Sequence, residues 1–176
     1  VDSLKTALAD VVARHEGLRT RFAMDNDGPH QLLDETETIR EQLDFTVTDS
    51  TTALEEAVMT GFDLARQWPL RARVVEISPS EHIVALVAHH IAMDGESQLP
   101  LVADLLAAYS ARVSGEAPVF EPLAVQMADY ALWQHAVLGS VDDPGSVIGR
   151  QLGYWRQQLS GLPDVVQIPA DRSRPA

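Results

Sequence analysis

His82-Ile83-Val84-Ala85-Leu86-Val87-Ala88-His89-His90-Ile91-Ala92-Met93-Asp94-Gly95 is the stretch on which the fold turns. Alternation along a strand sends Val84, Leu86 and Ala88 to one face and Ile83, Ala85 and Val87 to the other. Both faces are apolar, so the segment predicts a central strand covered on both sides. It runs without a break into two histidines, then into Asp94-Gly95, and from Ser97 the apolar period becomes helical. Polar groups therefore stand at the end of a buried strand, where a fold opens to substrate.

Working outward, Arg71 to Ile77 reads as a second strand, and the turn Ser78-Pro79-Ser80-Glu81 makes the two a hairpin. Upstream, Leu4, Leu8, Val11, Val12, His15 and Leu18 form a helical stripe that Asp2 or Ser3 can cap. Thr20 to Met24 and Gln31 to Leu33 read as strands around the turn Asp25-Asn26-Asp27-Gly28-Pro29. Phe45 to Val47 is a further short strand. Thr52-Ala53-Leu54-Glu55 has the form of a capping box opening a helix through Met59. Downstream, Pro100 fits a first helical turn, and Leu101, Val102, Leu105, Leu106 and Tyr109 are expected along one side. Val125 to Ala136 reads as helix, and Ile148, Leu152, Trp155 and Leu159 as another helical stripe. Residues 162–176, with Asp171-Arg172-Ser173-Arg174, read as a linker or crossing segment. The pattern is mixed α and β, with helices packed on a sheet.

The 176 residues suffice for one domain with a sizeable core. The formal charge of −13 argues against nucleic acid and anionic membranes as partners. No cysteine is present, so disulfides, thiolate zinc sites and a cysteine nucleophile are excluded. No secretory leader is visible at Val1 to Leu8, and the run Ile83 to Ala88 is far too short to span a bilayer; a cytoplasmic location is expected.

The chemistry centres on the histidine pair. An imidazole is the usual side chain for moving a proton near neutral pH. An amine attacking a thioester or ester loses a proton as the new bond forms, and a histidine at the centre accepts that proton or holds the amine in line. Strand alternation places His89 and His90 on opposite faces, so one faces a given cavity and the other belongs to the packing. Gly95 leaves its backbone N–H accessible to a developing oxyanion. Metal binding is disfavoured, because the histidines lack a helical i, i+4 partner. His15, Trp133, Trp155 and Tyr109 read as packed core residues, and His30, His82 and His135 as surface residues without partners.

The run from His89 to Ser97 resembles the His-His-x-x-x-Asp-Gly-x-Ser motif of the condensation domains of nonribosomal peptide synthetases. Other motifs accompany it in order. Arg14-His15-Glu16-Gly17-Leu18-Arg19-Thr20-Arg21-Phe22 is similar to the family's Arg-His-Glu-x-Leu-Arg-Thr-x-Phe motif. Phe62-Asp63-Leu64 and Pro69-Leu70-Arg71 are similar to a family segment. Gln126 to Trp133 resembles the Tyr-x-Asp-Tyr-Ala-x-Trp motif, with Met127 in place of the usual aromatic. Gln151 to Trp155, Leu159 to Pro163 and Pro169 to Arg172 match the stretch that follows.

The resemblance implies a chloramphenicol acetyltransferase-like α/β two-layer sandwich, helices on a mixed sheet. It implies that residues 1–176 are the N-terminal lobe of a two-lobe domain whose active site lies in a tunnel between lobes. The implied reaction joins an acceptor aminoacyl amine to a donor peptidyl thioester. Both substrates would ride on phosphopantetheine arms of carrier domains, with no directly bound cofactor and no metal. Partners would be the donor and acceptor carrier domains, the second lobe and a neighbouring adenylation domain. His90 would act on the amine, as general base or positioning group. His89 would pack, Gly95 would offer backbone to the substrate or its pantetheine arm, and Asp94 would hold the loop through an arginine, with Arg14 and Arg19 as candidates. The stretch from Asp142 to Trp155 resembles the subtype joining a D-configured donor to an L-configured acceptor. An epimerising relative and a non-catalytic relative that binds carriers or other partners are the alternatives.

Overall fold

In the computed structural model, which describes residues 1–26, 28–163, 169, 171 and 172, the first helix is α1 (Asp2–Arg14). Its positions Ala7, Leu8, Val11 and Val12 recur at helical spacing and are buried. Each such leucine or valine contributes roughly 2 kcal/mol relative to exposure. The helix ends earlier than the apolar stripe implies. His15 takes extended backbone, and a short 3-10 turn over residues 16–19 carries Leu18 into the same core. Neither Asp2 nor Ser3 is the cap: Val1 holds that position without a side-chain bond. Asp2 lies inside the first turn, where its charge meets the positive end of the helix dipole.

β1 (Thr20–Asp25) and β2 (Gly28–Leu33) form an antiparallel hairpin with Asp25 opposite Gly28. Gly28 has φ +107°, which a side chain would strain. Asp34, just past β2, accepts from Arg21 Nε at 2.7 Å and Nη2 at 2.5 Å and from Trp68 Nε1 at 2.7 Å. The Arg21 bonds first, then the Trp68 bond, hold the Asp34 carboxyl below the ordinary carboxylate range against the opposing effect of burial.

After the single-turn helix α2 (Ile39–Gln42), a β–α–β unit follows: β3 (Asp44–Thr48), α3 (Thr52–Met59) and β4 (Leu70–Ser78). β3 and β4 are parallel, with Asp44 opposite Arg71. The capping box does not form: Thr51 is the N-cap, in helical backbone and with no side-chain bond, so Thr52 already sits inside the helix. β5 (Glu81–Ala88) returns antiparallel to β4, Leu70 opposite Ala88, and the sheet order is β3-β4-β5.

The central strand is therefore β4, which corrects the reading of His82–Ala88. β4 pairs on both edges, and its Leu70, Ala72, Val74 and Val75 are buried. Among the described residues β5 pairs on one edge, and Ile83 and Val84 are 44 % and 43 % exposed. An apolar run records a preference for burial, but of two adjacent apolar strands it does not say which lies inside. Only the end of β5 nearest the histidines, at Leu86 and Ala88, packs against the core.

α4 (Gln98–Val113) lies on α1 through Leu101 and Ala108, with Leu105 against the same core. Arg112 clamps the pair by a bidentate bond to Asp10, both distances 2.7 Å. The expected single apolar side of α4 splits in two, because Val102, Leu106 and Tyr109 stay exposed.

The described chain divides into two compact units, Val1–Ala128 and Asp129–Ala176. α5 (Met127–Leu138) and α6 (Val147–Gln158) make up the helices of the second, apart from the first two residues of α5. No described residue of either helix is buried. Trp133 is 58 % and Trp155 56 % exposed, so with Tyr109 these residues are not core within their units. Two twelve-residue helices do not supply enough surface to enclose two indoles. Ser146 caps α6 by accepting from Gly149 N–H at 2.9 Å. A Cβ at Gly149 would collide with the Asp143 carbonyl oxygen, so this turn requires glycine. Most of the expected linker, 162–176, lies outside the described residues.

Candidate functional site

β5 stops at Ala88, but one more rung of its ladder forms: His89 N–H donates to the Pro69 carbonyl at 2.9 Å. Ala92 N–H then donates to the His89 carbonyl at 3.0 Å and closes a turn with His90 and Ile91 at its corners. The two histidines therefore part company because the chain turns, not because a strand alternates. His89 is half-buried and His90 is exposed.

His89 is held on two sides. Its ring stands at 88° to the Phe62 ring, 6.0 Å between centroids. Its Nδ1 accepts the Ile91 backbone N–H at 3.0 Å. That acceptor role requires a bare Nδ1, so the neutral ring carries its proton on Nε2. His90 makes no hydrogen bond or ion pair among the described residues, which leaves both ring nitrogens open to a ligand.

Asp94 and Ser97 bind each other reciprocally. Asp94 Oδ1 accepts from Ser97 N–H at 3.0 Å and from Ser97 Oγ at 2.6 Å, and Asp94 N–H donates to Ser97 Oγ at 3.2 Å. The Ser97 hydroxyl, then its backbone, holds the exposed Asp94 carboxyl below the usual carboxylate value. The loop from strand to α4 is thus tied by a four-residue local clasp. Gly95, inside that clasp, has nothing within 4 Å of where a Cβ would sit. No positive φ requires glycine there.

Neither arginine expected at Asp94 is there, and their positions show why. Arg14 donates through Nε to Asp104 at 2.8 Å and through Nη1 to the Glu121 carbonyl at 2.6 Å, and it lies 4.8 Å from the Phe120 ring. It joins α1 to α4 and to the loop after it. Arg19 donates to the Asp34 carbonyl and to Glu16 Oε1 at 3.4 Å, and so closes the base of the β1–β2 hairpin. His15 binds Asp104 Oδ2 at 2.7 Å and is only partly buried. His30 and His82 are not without partners: His30 lies 3.4 Å from Asp25 and His82 3.6 Å from Glu76. Among the described residues no three His, Asp or Glu side chains converge as a metal-binding group.

Two residues that carry the histidine turn were not singled out as site residues. Arg71, 3 % exposed on β4, donates to the carbonyls of Ala57 at 3.0 Å, Thr60 at 2.8 Å and Gly61 at 3.1 Å. Its Nε lies 3.6 Å from Asp44 Oδ2, and its guanidinium stacks 4.1 Å from the Phe62 ring centre. Phe62 in turn meets His89. The available signal was an arginine set among the buried apolar residues of Pro69-Leu70-Arg71-Ala72, close to a segment beginning with Phe62.

Comparison with known proteins gives the family of the chain and its fold. A family model described as the condensation domain matches residues 1–176. The chain is 49 % identical over 180 residues to the probable non-canonical nonribosomal peptide synthetase CymA of Salinispora arenicola, covering all of this chain and 2 % of that protein. It is 44 % identical over 182 residues to the isonitrile lipopeptide synthase of Mycobacterium tuberculosis, covering 99 % of this chain and 7 % of that one. Among solved structures, the X-domain from teicoplanin biosynthesis superposes with a TM-score of 0.83 at 38 % identity, over 99 % of this chain and 39 % of that chain. The epimerization domain from the third module of tyrocidine synthetase B matches at 0.74 and 19 % identity, over 98 % of this chain and 40 % of that one, a likeness of fold. The chain thus spans a small fraction of these curated relatives and about two fifths of the matching structures.

Proposed function

The chain belongs to the condensation domain family, with the chloramphenicol acetyltransferase-like α/β fold, and on that premise we propose that it is the histidine-bearing N-terminal lobe of a peptide-bond-forming condensation domain. The observation that carries the reading is the contrast at the end of β5. His89 is packed and bonded, while His90 is exposed on a turn and makes no hydrogen bond or ion pair among the described residues.

In this reading the acceptor aminoacyl amine attacks the carbonyl carbon of the donor thioester. The new C–N bond forms, an imidazole nitrogen of His90 takes or steers the amine proton, and the C–S bond breaks to release the donor arm as a thiol. The backbone at Gly95 faces open space and can approach the substrate or its pantetheine arm. Donor and acceptor carrier domains bring the substrates, a second lobe supplies the other wall of the site, and an adenylation domain is a neighbour. Asp94 acts as loop support through Ser97, not through Arg14 or Arg19.

A second reading has its own observation: the X-domain that resembles this chain is also solved in complex with OxyB, at 35 % identity and a TM-score of 0.81 to this chain. A lobe of that kind would bind a partner protein without forming the peptide bond. Replacing His90 by Ala in the complete domain, supplied with loaded donor and acceptor carriers, separates the two. We expect loss of at least 100-fold in peptide-bond formation, the usual scale for a group that transfers a proton. Product formation at the parental rate would overturn the catalytic assignment.

A further inference from the structure

We propose that Phe62 and Arg71 are positioning residues for the reaction at His90, acting through His89; this rests on the role of His90 put forward above. The contacts run in one direction. Asp44 on β3 and the carbonyls of Ala57, Thr60 and Gly61 fix the Arg71 guanidinium in a buried cradle. The guanidinium covers the Phe62 ring at 4.1 Å, so the ring cannot tilt without displacing a buried, multiply bonded ion. Phe62 stands perpendicular to His89 and restricts rotation of the imidazole. In the observed orientation Nδ1 accepts the Ile91 N–H at 3.0 Å. That bond, with the bond from Ala92 to His89, shapes the turn whose first corner is His90.

His90 itself has no side-chain partner among the described residues to hold it. Its direction comes from the backbone of this turn and hence from His89. Reaction geometry tolerates errors of only about half an ångström, so a loosened turn costs rate before it costs binding. This cluster also accounts for a buried arginine on a strand whose other buried residues, Leu70, Ala72, Val74 and Val75, are apolar, with its charge directed at the loop that carries Phe62.

The test uses the complete condensation domain with loaded carrier domains and compares Phe62→Leu, Phe62→Tyr, His90→Ala and the double variant Phe62→Leu/His90→Ala. Removing the ring should lower kcat roughly tenfold, the size of one aromatic contact expressed as rate, with KM for the acceptor carrier within about twofold of the parent. Phe62→Tyr keeps the ring and should restore most of the rate. The double variant should be no slower than His90→Ala alone, because Phe62 acts through His90. Should Phe62→Leu not fold, Phe62→Met is read by the same criteria. A parental kcat for the ring-less variant, a loss confined to KM, an equal loss in Phe62→Tyr, or additive losses in the double variant would each overturn the positioning role. A His90→Ala variant at the parental rate would instead overturn the functional assignment beneath it, so the two failures are distinguishable.

Discussion

Replacing Arg71 by Met keeps the length and apolar stem of the side chain and removes its charge and donors. Three carbonyls then lose a partner: that of Ala57, in a buried bond, and those of Thr60 and Gly61, in partly buried ones. At about 1 kcal/mol for each bond to a backbone acceptor, the loss is about 3 kcal/mol. Asp44 adds little, because Arg73 still donates to it at 2.6 Å and its side chain is 42 % exposed. The expected destabilisation is therefore about 3 kcal/mol, at the lower end of what breaking a buried ion pair costs. Urea unfolding of the protein that contains this domain, followed by the emission of the buried Trp68, should show the midpoint falling by about 1 M for a slope near 3 kcal/mol/M. Asp44→Asn should lower it by less than a third of that amount. The cradle argument fails if Arg71→Met leaves the midpoint unchanged. It also fails if Asp44→Asn is as damaging, since the ion pair would then outweigh the carbonyls.

Two further outcomes follow from local geometry. The depressed Asp34 carboxyl contributes stability that is present above its unfolded value and is lost as pH falls, so acid should destabilise the parent from about pH 4 downward; Asp34→Asn should flatten that limb of a stability–pH curve, and an unchanged limb would refute the assignment. Gly95→Ala meets open space, so its unfolding free energy should match the parent within about 0.5 kcal/mol, while peptide-bond formation slows if substrate approaches this backbone; equal rates would remove Gly95 from the site.

The strands, α3 and the stripe of α6 were legible because each carries its own period or turn signal. The burial of β5 was not legible, because burial depends on which strands flank it, and sequence order alone does not decide that. For the histidine pair the sequence supplies only the expectation that one ring packs and the other faces a cavity; the device that separates them is a turn whose bonds join His89 to Ile91 and Ala92. Asp94 takes its support from Ser97 and from neither Arg14 nor Arg19. A carboxylate in a loop satisfies itself most cheaply with the nearest hydroxyl and N–H, and Ser97 provides both three residues on. Arg14 and Arg19 are taken up by carboxylates and carbonyls that only the fold brings near them.

α4 shows most plainly what periodicity leaves undecided. Leu101, Leu105 and Ala108 point one way, and Val102, Leu106 and Tyr109 point about 100° away on the same helix. Both stripes are apolar, so hydrophobicity does not choose between them. Charge does. Asp104 and Arg112 lie on the first face, and α1 presents Arg14 and Asp10 four residues apart to receive them. Turning α4 by 100° to bury the other stripe would strip Arg112 from Asp10, and Asp104 from both Arg14 and His15. Opposite charges facing one another across two apolar helices, Asp10 with Arg112 and Arg14 with Asp104, are thus the feature that selects the packed face, and in this chain that choice also decides which side of the helix following His90 remains uncovered within its unit.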